Sequence, residues 1–154
     1  MVMATAILAR AYAIAASVCD PEIPGLSIAD LGVLRDIVLA DGQVEVRITP
    51  TYSGCPAMHA IAQDIQAALA EAGIASARVR LVLSPAWSSD MITPAGHAHL
   101  ANLGIVPPVR GIAPRCPVCG SAKTETLSAF GSTACKSLHR CLSCREPFDA
   151  FKCH

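Results

Sequence analysis

Aromatic residues are scarce in this 154-residue chain, which holds one Trp, two Tyr and three Phe. Charge is sparse as well: 16 % of residues are charged and the formal net charge is zero. A nucleic-acid footprint needs a clustered basic face. A disordered chain needs high charge and little hydrophobicity. A composition that is 53 % hydrophobic fits neither, so the chain is expected to fold on a core and to bind no nucleic acid. Long apolar runs are missing too. The stretch Thr5 to Val18 is interrupted by Arg10 and is shorter than the roughly 20 residues of a membrane span. It also lacks the basic start of a signal peptide. The expectation is a first helix with Ile7, Leu8, Ala11, Ile14 and Val18 on the core at helical spacing.

Cysteine is what the chain has in abundance, with eight residues. Four of them form two C-x-x-C pairs, Cys116/Cys119 and Cys141/Cys144. Such pairs read as metal binding in a reducing compartment, so a cytoplasmic location is expected. Two thiolates separated by two residues grip one ion from a tight turn, and two such turns complete a tetrahedron. Gly120 supplies a residue free to take φ > 0 just after the first pair, whereas Arg145 stands at the same place after the second. Twenty-one residues lie between the pairs, slightly more than the roughly 15–20 usual for a zinc site. Four sulfurs leave no open coordination position, so the predicted role of zinc is structural. Rubredoxin-like iron, a redox dithiol pair and two disulfides are the competing readings. Cys135, Cys153 and His154 are further soft ligands that could join the ribbon, against the plainer reading that Phe148 and Phe151 pack it while Cys153 is a bystander.

Charge divides at the same place. Residues 1–114 carry six Lys/Arg against nine Asp/Glu, and residues 115–154 carry six against three. The expected organisation is an α/β (α+β) domain over 1–104, a Pro-rich linker over 105–114 and a zinc ribbon over 115–154. In the first domain, alternating apolar residues in Val33–Leu39 and Val44–Ile48 flank Asp41-Gly42 and predict a β-hairpin. Met58, Ile61, Ile65 and Leu69 predict a helix running to about Ala72 and stopped by Gly73. Residues Ala77–Leu83 alternate again, giving a third strand and hence a small mixed sheet with helices. Ser27 is placed to cap a short helical turn through Asp30-Leu31 that Gly32 ends, and Pro94 to start a short helix ended by Gly104.

Pro56 is a natural first helical residue, which puts Cys55 at the N-cap. A thiol there faces unpaired N–H groups and the positive end of the helix dipole, which both favour thiolate. His59 follows one turn along on the same side. Cys55 is therefore the candidate reactive or metal-binding thiol outside the ribbon. A buried structural cysteine is the alternative.

The segments Asp20-Pro21-Glu22, Ser27-Ile28-Ala29-Asp30-Leu31-Gly32 and Thr49 through Cys55-Pro56 resemble the motifs of the MIP18-like/SufT iron–sulfur assembly family. The segment Ser84–Pro94 and the C-terminal ribbon are similar to the PaaD subgroup, phenylacetate-degradation accessory proteins. Pro24-Gly25 and the long Pro50–Gly54 loop depart from the simplest members. The resemblance implies an α/β domain without turnover of its own that helps deliver iron or iron–sulfur clusters. It makes the oxygenase and reductase components of the phenylacetyl-CoA epoxidase the expected partners. It also makes Cys55 the functional cysteine, with Asp20, Glu22 and Asp30 in the matching acidic motifs. One accessible soft ligand per chain is too few for a stable cluster, so transfer, a site shared in a homodimer or a ligand from a partner is implied.

Overall fold

The computed structural model describes residues 2–154, and it divides into two compact units, the first ending at Trp87 and the second running from Ser88 to His154. In the first unit, α1 (Val2–Ala16) is followed by the hairpin β1 (Leu34–Ala40) and β2 (Gln43–Ile48), then α2 (Ala57–Glu71) and β3 (Arg78–Leu81). Asp41 and Gly42 both take positive φ, 53° and 76°. That is the primed-turn geometry whose twist matches a two-residue hairpin. β1 and β2 pair antiparallel, while β2 and β3 pair parallel through the α2 crossover, so the central strand is β2. The expected mixed sheet is present.

Ala57, Met58, Ile61, Ile65 and Leu69 of α2 are buried, together with Val44, Val46 and Ile48 of β2. Gly73 takes φ 83° just past the helix end, where its lack of a side chain closes the last turn. The first helix keeps part of its expected stripe. Ala11 and Ala15 are its buried residues, Ile7 is exposed, and Leu8 and Ile14 are half-buried. Val18 lies beyond the helix end and accepts a backbone bond from Ile28 N at 2.8 Å. Ser27 accepts from Asp30 N at 3.0 Å and donates to Asp30 Oδ2 at 3.1 Å, which organises a turn rather than a helix. Trp87 is buried and its indole N–H donates to Leu31 O at 3.0 Å.

Glu45 is buried on β2 and accepts from Arg47 Nε at 2.9 Å and from Arg78 Nε at 2.8 Å. The Arg47 hydrogen bond outweighs burial, and with Arg78 it holds the Glu45 carboxyl below the usual carboxylate range. A depressed folded-state pKa gives stability that is present above the unfolded value, about 4.3 for Glu, and is lost as pH falls through the folded value. Glu45→Gln is therefore expected to lower the unfolding midpoint of the first unit at neutral pH. The gap from wild type should close below about pH 4 in a urea titration series.

The second unit contains α3 (Pro94–Asn102) and the antiparallel sheet β4 (Thr124–Ser128), β5 (Lys136–Cys141) and β6 (Pro147–Phe151), with β5 in the middle. Thr93 caps α3 by accepting from Gly96 N at 3.0 Å. The division after Trp87 falls earlier than the boundary at 104 that the prolines suggest. Residues 105–114 are also not a free linker. Val106 bridges Ala150, with Val106 N donating to Asp149 O and Phe151 N donating to Val106 O, both at 2.9 Å. No helix among the described residues is long and apolar enough to cross a membrane.

Candidate metal centre and the Cys55 site

The two C-x-x-C turns are built alike. Gly120 N donates to Cys116 O at 2.9 Å, and Arg145 N donates to Cys141 O at 3.0 Å. In the first turn Val118 N and Cys119 N point at Cys116 Sγ (3.4 and 3.5 Å). In the second, Ser143 N and Cys144 N point at Cys141 Sγ (3.3 and 3.4 Å). Ser121 Oγ and Ser143 Oγ join the turns at 2.9 Å. These N–H donors favour the ionised sulfur. The Cys119 N–H chiefly draws the Cys116 thiol down, and the Cys144 N–H chiefly draws Cys141 down to about 6. Each turn contributes one buried sulfur residue, Cys116 or Cys141, and one exposed, Cys119 or Cys144. The buried pair packs with Phe148, and Val106 lies against them.

The four sulfurs lie within 4.8 Å of one another, with Cys116–Cys144 and Cys119–Cys141 both at 3.6 Å. A tetrahedron with Zn–S bonds of about 2.3 Å has edges of about 3.8 Å. An S–S bond would need about 2.05 Å. The donor set and its spacing therefore fit a four-thiolate zinc ion, held by Cys116, Cys119, Cys141 and Cys144. Bound there, zinc supplies cross-linking rather than reaction chemistry, because the protein fills every position.

Gly120 and Arg145 occupy equivalent places in the two turns, with φ of 73° and 69°. An L side chain pays roughly 1–2 kcal/mol for this left-handed conformation. A Cβ at Gly120 would meet nothing within 4 Å, so its cost is one of backbone alone. Gly120→Ala is expected to cost about 1 kcal/mol. Arg145→Gly is expected to gain about 0.5 kcal/mol after the extra chain entropy of glycine is subtracted. Thermal unfolding of the zinc-loaded protein checks both signs.

Cys135 is buried beside Thr133 Oγ1 at 3.0 Å, and Cys153 is exposed with Ser89 Oγ at 3.4 Å. His154 N donates to Ser89 Oγ at 3.3 Å. Among the described residues, the ribbon quartet is the set of three or more such ligands that converges within 4.8 Å, and these three residues stand outside it.

Cys55 precedes α2, whose cap residue is Pro56 with helical dihedrals, so the thiol sits one position before the expected N-cap. It is half-buried, and its N–H donates to Tyr52 O at 3.3 Å. The expectation of a favoured thiolate is reversed. Burial pushes the thiol pKa up, and the Glu22 and Asp20 carboxylates push it further. The Ala57 N–H and the Tyr52 hydroxyl act the other way without overcoming this. Helix-start donors are present as foreseen, but desolvation and two anions from a distant turn outweigh them. That turn is itself fixed by Asp20, which is buried and accepts from Glu22 N at 2.7 Å. Asp20, Glu22 and Cys55 thus share one electrostatic environment. Asp30 is engaged in the Ser27 turn. His59 is exposed and is not among the groups that most affect Cys55. Thr49 lies in the same segment as Cys55. It is 1 % exposed at the start of the Cys55 loop, and its hydroxyl has no hydrogen-bond partner among the described residues. A buried hydroxyl left unpaired calls for an explanation.

Comparison with known proteins agrees with both units. Residues 11–81 match the iron–sulfur cluster assembly protein family, and residues 110–152 match the PaaD zinc beta ribbon domain. A protein of Escherichia coli (strain K12), provisionally named as one of the subunits of 1,2-phenylacetyl-CoA epoxidase, is 45% identical over 92% of this chain and 90% of its own length. An Fe-S protein maturation auxiliary factor of Porphyromonas gingivalis is 35% identical over 50% of this chain and 74% of its own. The crystal structure of a DUF59 domain from Bacillus anthracis superposes with a TM-score of 0.58 at 25% identity, covering 64% of this chain and 95% of that one. An assembly domain followed by a four-cysteine ribbon, with this identity along nearly the whole of the E. coli relative, places the chain in the PaaD family.

Proposed function

We propose that this chain is an accessory protein of aerobic phenylacetate degradation that matures the multicomponent phenylacetyl-CoA epoxidase by passing iron or an iron–sulfur cluster through Cys55. The observation that carries this reading is the half-buried Cys55 thiol, whose ionisation is governed by burial together with Glu22 and Asp20. A metal must displace the thiol proton to bind. A thiol whose pKa is raised holds that metal less tightly at neutral pH, which suits a carrier better than a store. The Asp20 and Glu22 carboxylates place negative charge near the thiol, which attracts an arriving cation. The related maturation factor of P. gingivalis supports the iron–sulfur part. The E. coli relative supports the epoxidase as client. The ribbon, held by one structural zinc, serves to dock the oxygenase or reductase component.

The name of the E. coli relative also favours a second reading, a non-catalytic structural component of the same oxygenase. The two are separated by producing the epoxidase beside wild-type or Cys55→Ser protein and measuring its iron. Maturation predicts an intact, iron-poor enzyme with the variant. A structural component predicts full iron and co-purification at fixed stoichiometry.

A further inference from the structure

The second unit encloses a half-open cavity of about 630 Å³ that neither the ribbon metal nor Cys55 uses. One wall is the segment from Val106 to Arg115, and the other is formed by Ser137, His139 and the stretch from Phe151 to His154. The first wall is an arch pinned at three points. Val106 is bridged to Ala150 at its start. Arg110 pairs with Asp90 at 2.9 Å in the middle. Pro114 O accepts from Thr124 Oγ1 at 2.8 Å at the end. Pro107, Pro108 and Pro114 stiffen the span between these anchors. The arch is thus fixed mainly at its two ends, where its backbone takes part in the contacts, and the exposed Arg110–Asp90 pair adds little. The volume of the cavity lies in the range of small-molecule sites, roughly 300–1,000 Å³.

The lining has a definite chemistry. Val106, Pro108, Val109, Ile112 and Phe151 are apolar, and the lining contains no carboxylate side chain. Arg115 and Lys152 are the permanent cations on it, and neither is ion-paired among the described residues. Arg115 donates to Gly120 O at 3.3 Å, and Lys152 lies 4.1 Å from the Phe130 ring centroid. His139 is buried with Ser137 Oγ at 2.7 Å from Nε2, and offers a polar group on the wall.

We infer that this cavity binds a small organic anion with an apolar body, the body lying against the proline arch and the anionic group facing Arg115 and Lys152. The inference does not depend on Cys55 and stands or falls separately from the maturation reading.

Anilinonaphthalene sulfonate, an aromatic anion, and phenylnaphthylamine, its neutral counterpart, are suitable fluorescent probes for the zinc-loaded full chain. The wild type should bind one anilinonaphthalene sulfonate per chain, saturably. The Arg115→Gln/Lys152→Gln double variant should bind it about tenfold more weakly while binding phenylnaphthylamine within about twofold of wild type, because one exposed and one half-buried charge together account for roughly one factor of ten. Ile112→Asp should weaken both probes, since it cuts an exposed part of the apolar wall and adds a repelling charge. Circular dichroism and zinc content show whether each variant is folded. Unsaturable binding, or an unchanged affinity for the anion in the folded double variant, overturns the inference. So does a dye affinity that falls as the chain self-associates in sedimentation, because the groove is then a seat for a second copy.

Discussion

Replacing Cys55 by Ser is expected to leave the phenylacetyl-CoA epoxidase assembled but short of iron, with its activity down about tenfold or more. Changing even an outer-shell partner of a metal ligand typically costs 10–100-fold in metal affinity or activity, and a serine hydroxyl, protonated at neutral pH, cannot replace a thiolate as ligand to iron or to an iron–sulfur cluster. The fold should tolerate the change because Cys55 is half-buried in a loop and its backbone bond to Tyr52 does not involve the side chain. Iron per oxygenase, measured on the purified complex, is the primary readout. Chemical reconstitution with iron and sulfide should then restore activity, since the client itself is unaltered. An epoxidase with normal iron and full activity beside the variant would remove Cys55 from maturation.

The same site makes a finer expectation. Glu22 and Asp20 both push the Cys55 thiol pKa up. Glu22→Gln and Asp20→Asn remove one negative charge each, while the Asn side-chain oxygen can still accept from Glu22 N. Both variants should raise the thiolate fraction of Cys55 and speed its alkylation by iodoacetamide a few-fold near neutral pH, because the thiolate is the nucleophile. Peptide mass spectrometry resolves Cys55 from Cys19 and Cys153, which are exposed. Faster alkylation joined to poorer iron delivery would assign the carboxylates to metal handling rather than to thiol activation.

The features that could be read from the sequence are those fixed over short spans. The C-x-x-C turns, the Asp41-Gly42 hairpin and the α2 stripe each depend on residues within a turn or two of one another. The features that could not be read depend on chain segments brought together from afar. Cys55 invites a low pKa from its place before a helix, yet burial and anions from a turn more than thirty residues earlier decide the matter. The run of prolines after residue 105 suggests a semi-rigid linker, but the Val106–Ala150 bridge draws it into the ribbon unit, a pairing that no local pattern announces. Periodicity also misleads in α1. Of the expected stripe Ala11 is fully buried, joined by Ala15 one turn along, whereas the larger Ile7 is exposed.

Removing the ribbon metal is expected to unfold β4–β6 while the first unit keeps its structure. Structural zinc contributes on the order of 10 kcal/mol in small metal-dependent domains. The hydrophobic cluster at the ribbon site consists of Cys116, Cys141 and Phe148 with Val106 against them, two of which are ligands, and the rest of the sheet adds only a few buried apolar residues such as Ala150 and Phe151. It cannot replace a term of that size. Chelation should therefore broaden or collapse the amide resonances of residues 116–151, while the sheet of the first unit, whose core is Met58, Ile61, Ile65 and Leu69 against Val44, Val46 and Ile48, stays dispersed. Cys141→Ser should act like chelation at low zinc, because it replaces a fully buried ligand that also receives the Ser143 and Cys144 N–H groups. Cys135→Ser and Cys153→Ser should leave one zinc per chain, since neither sulfur converges on the quartet. A loss of zinc in either of these last two variants would show that the ribbon exchanges ligands, and that the site is more than a folding device.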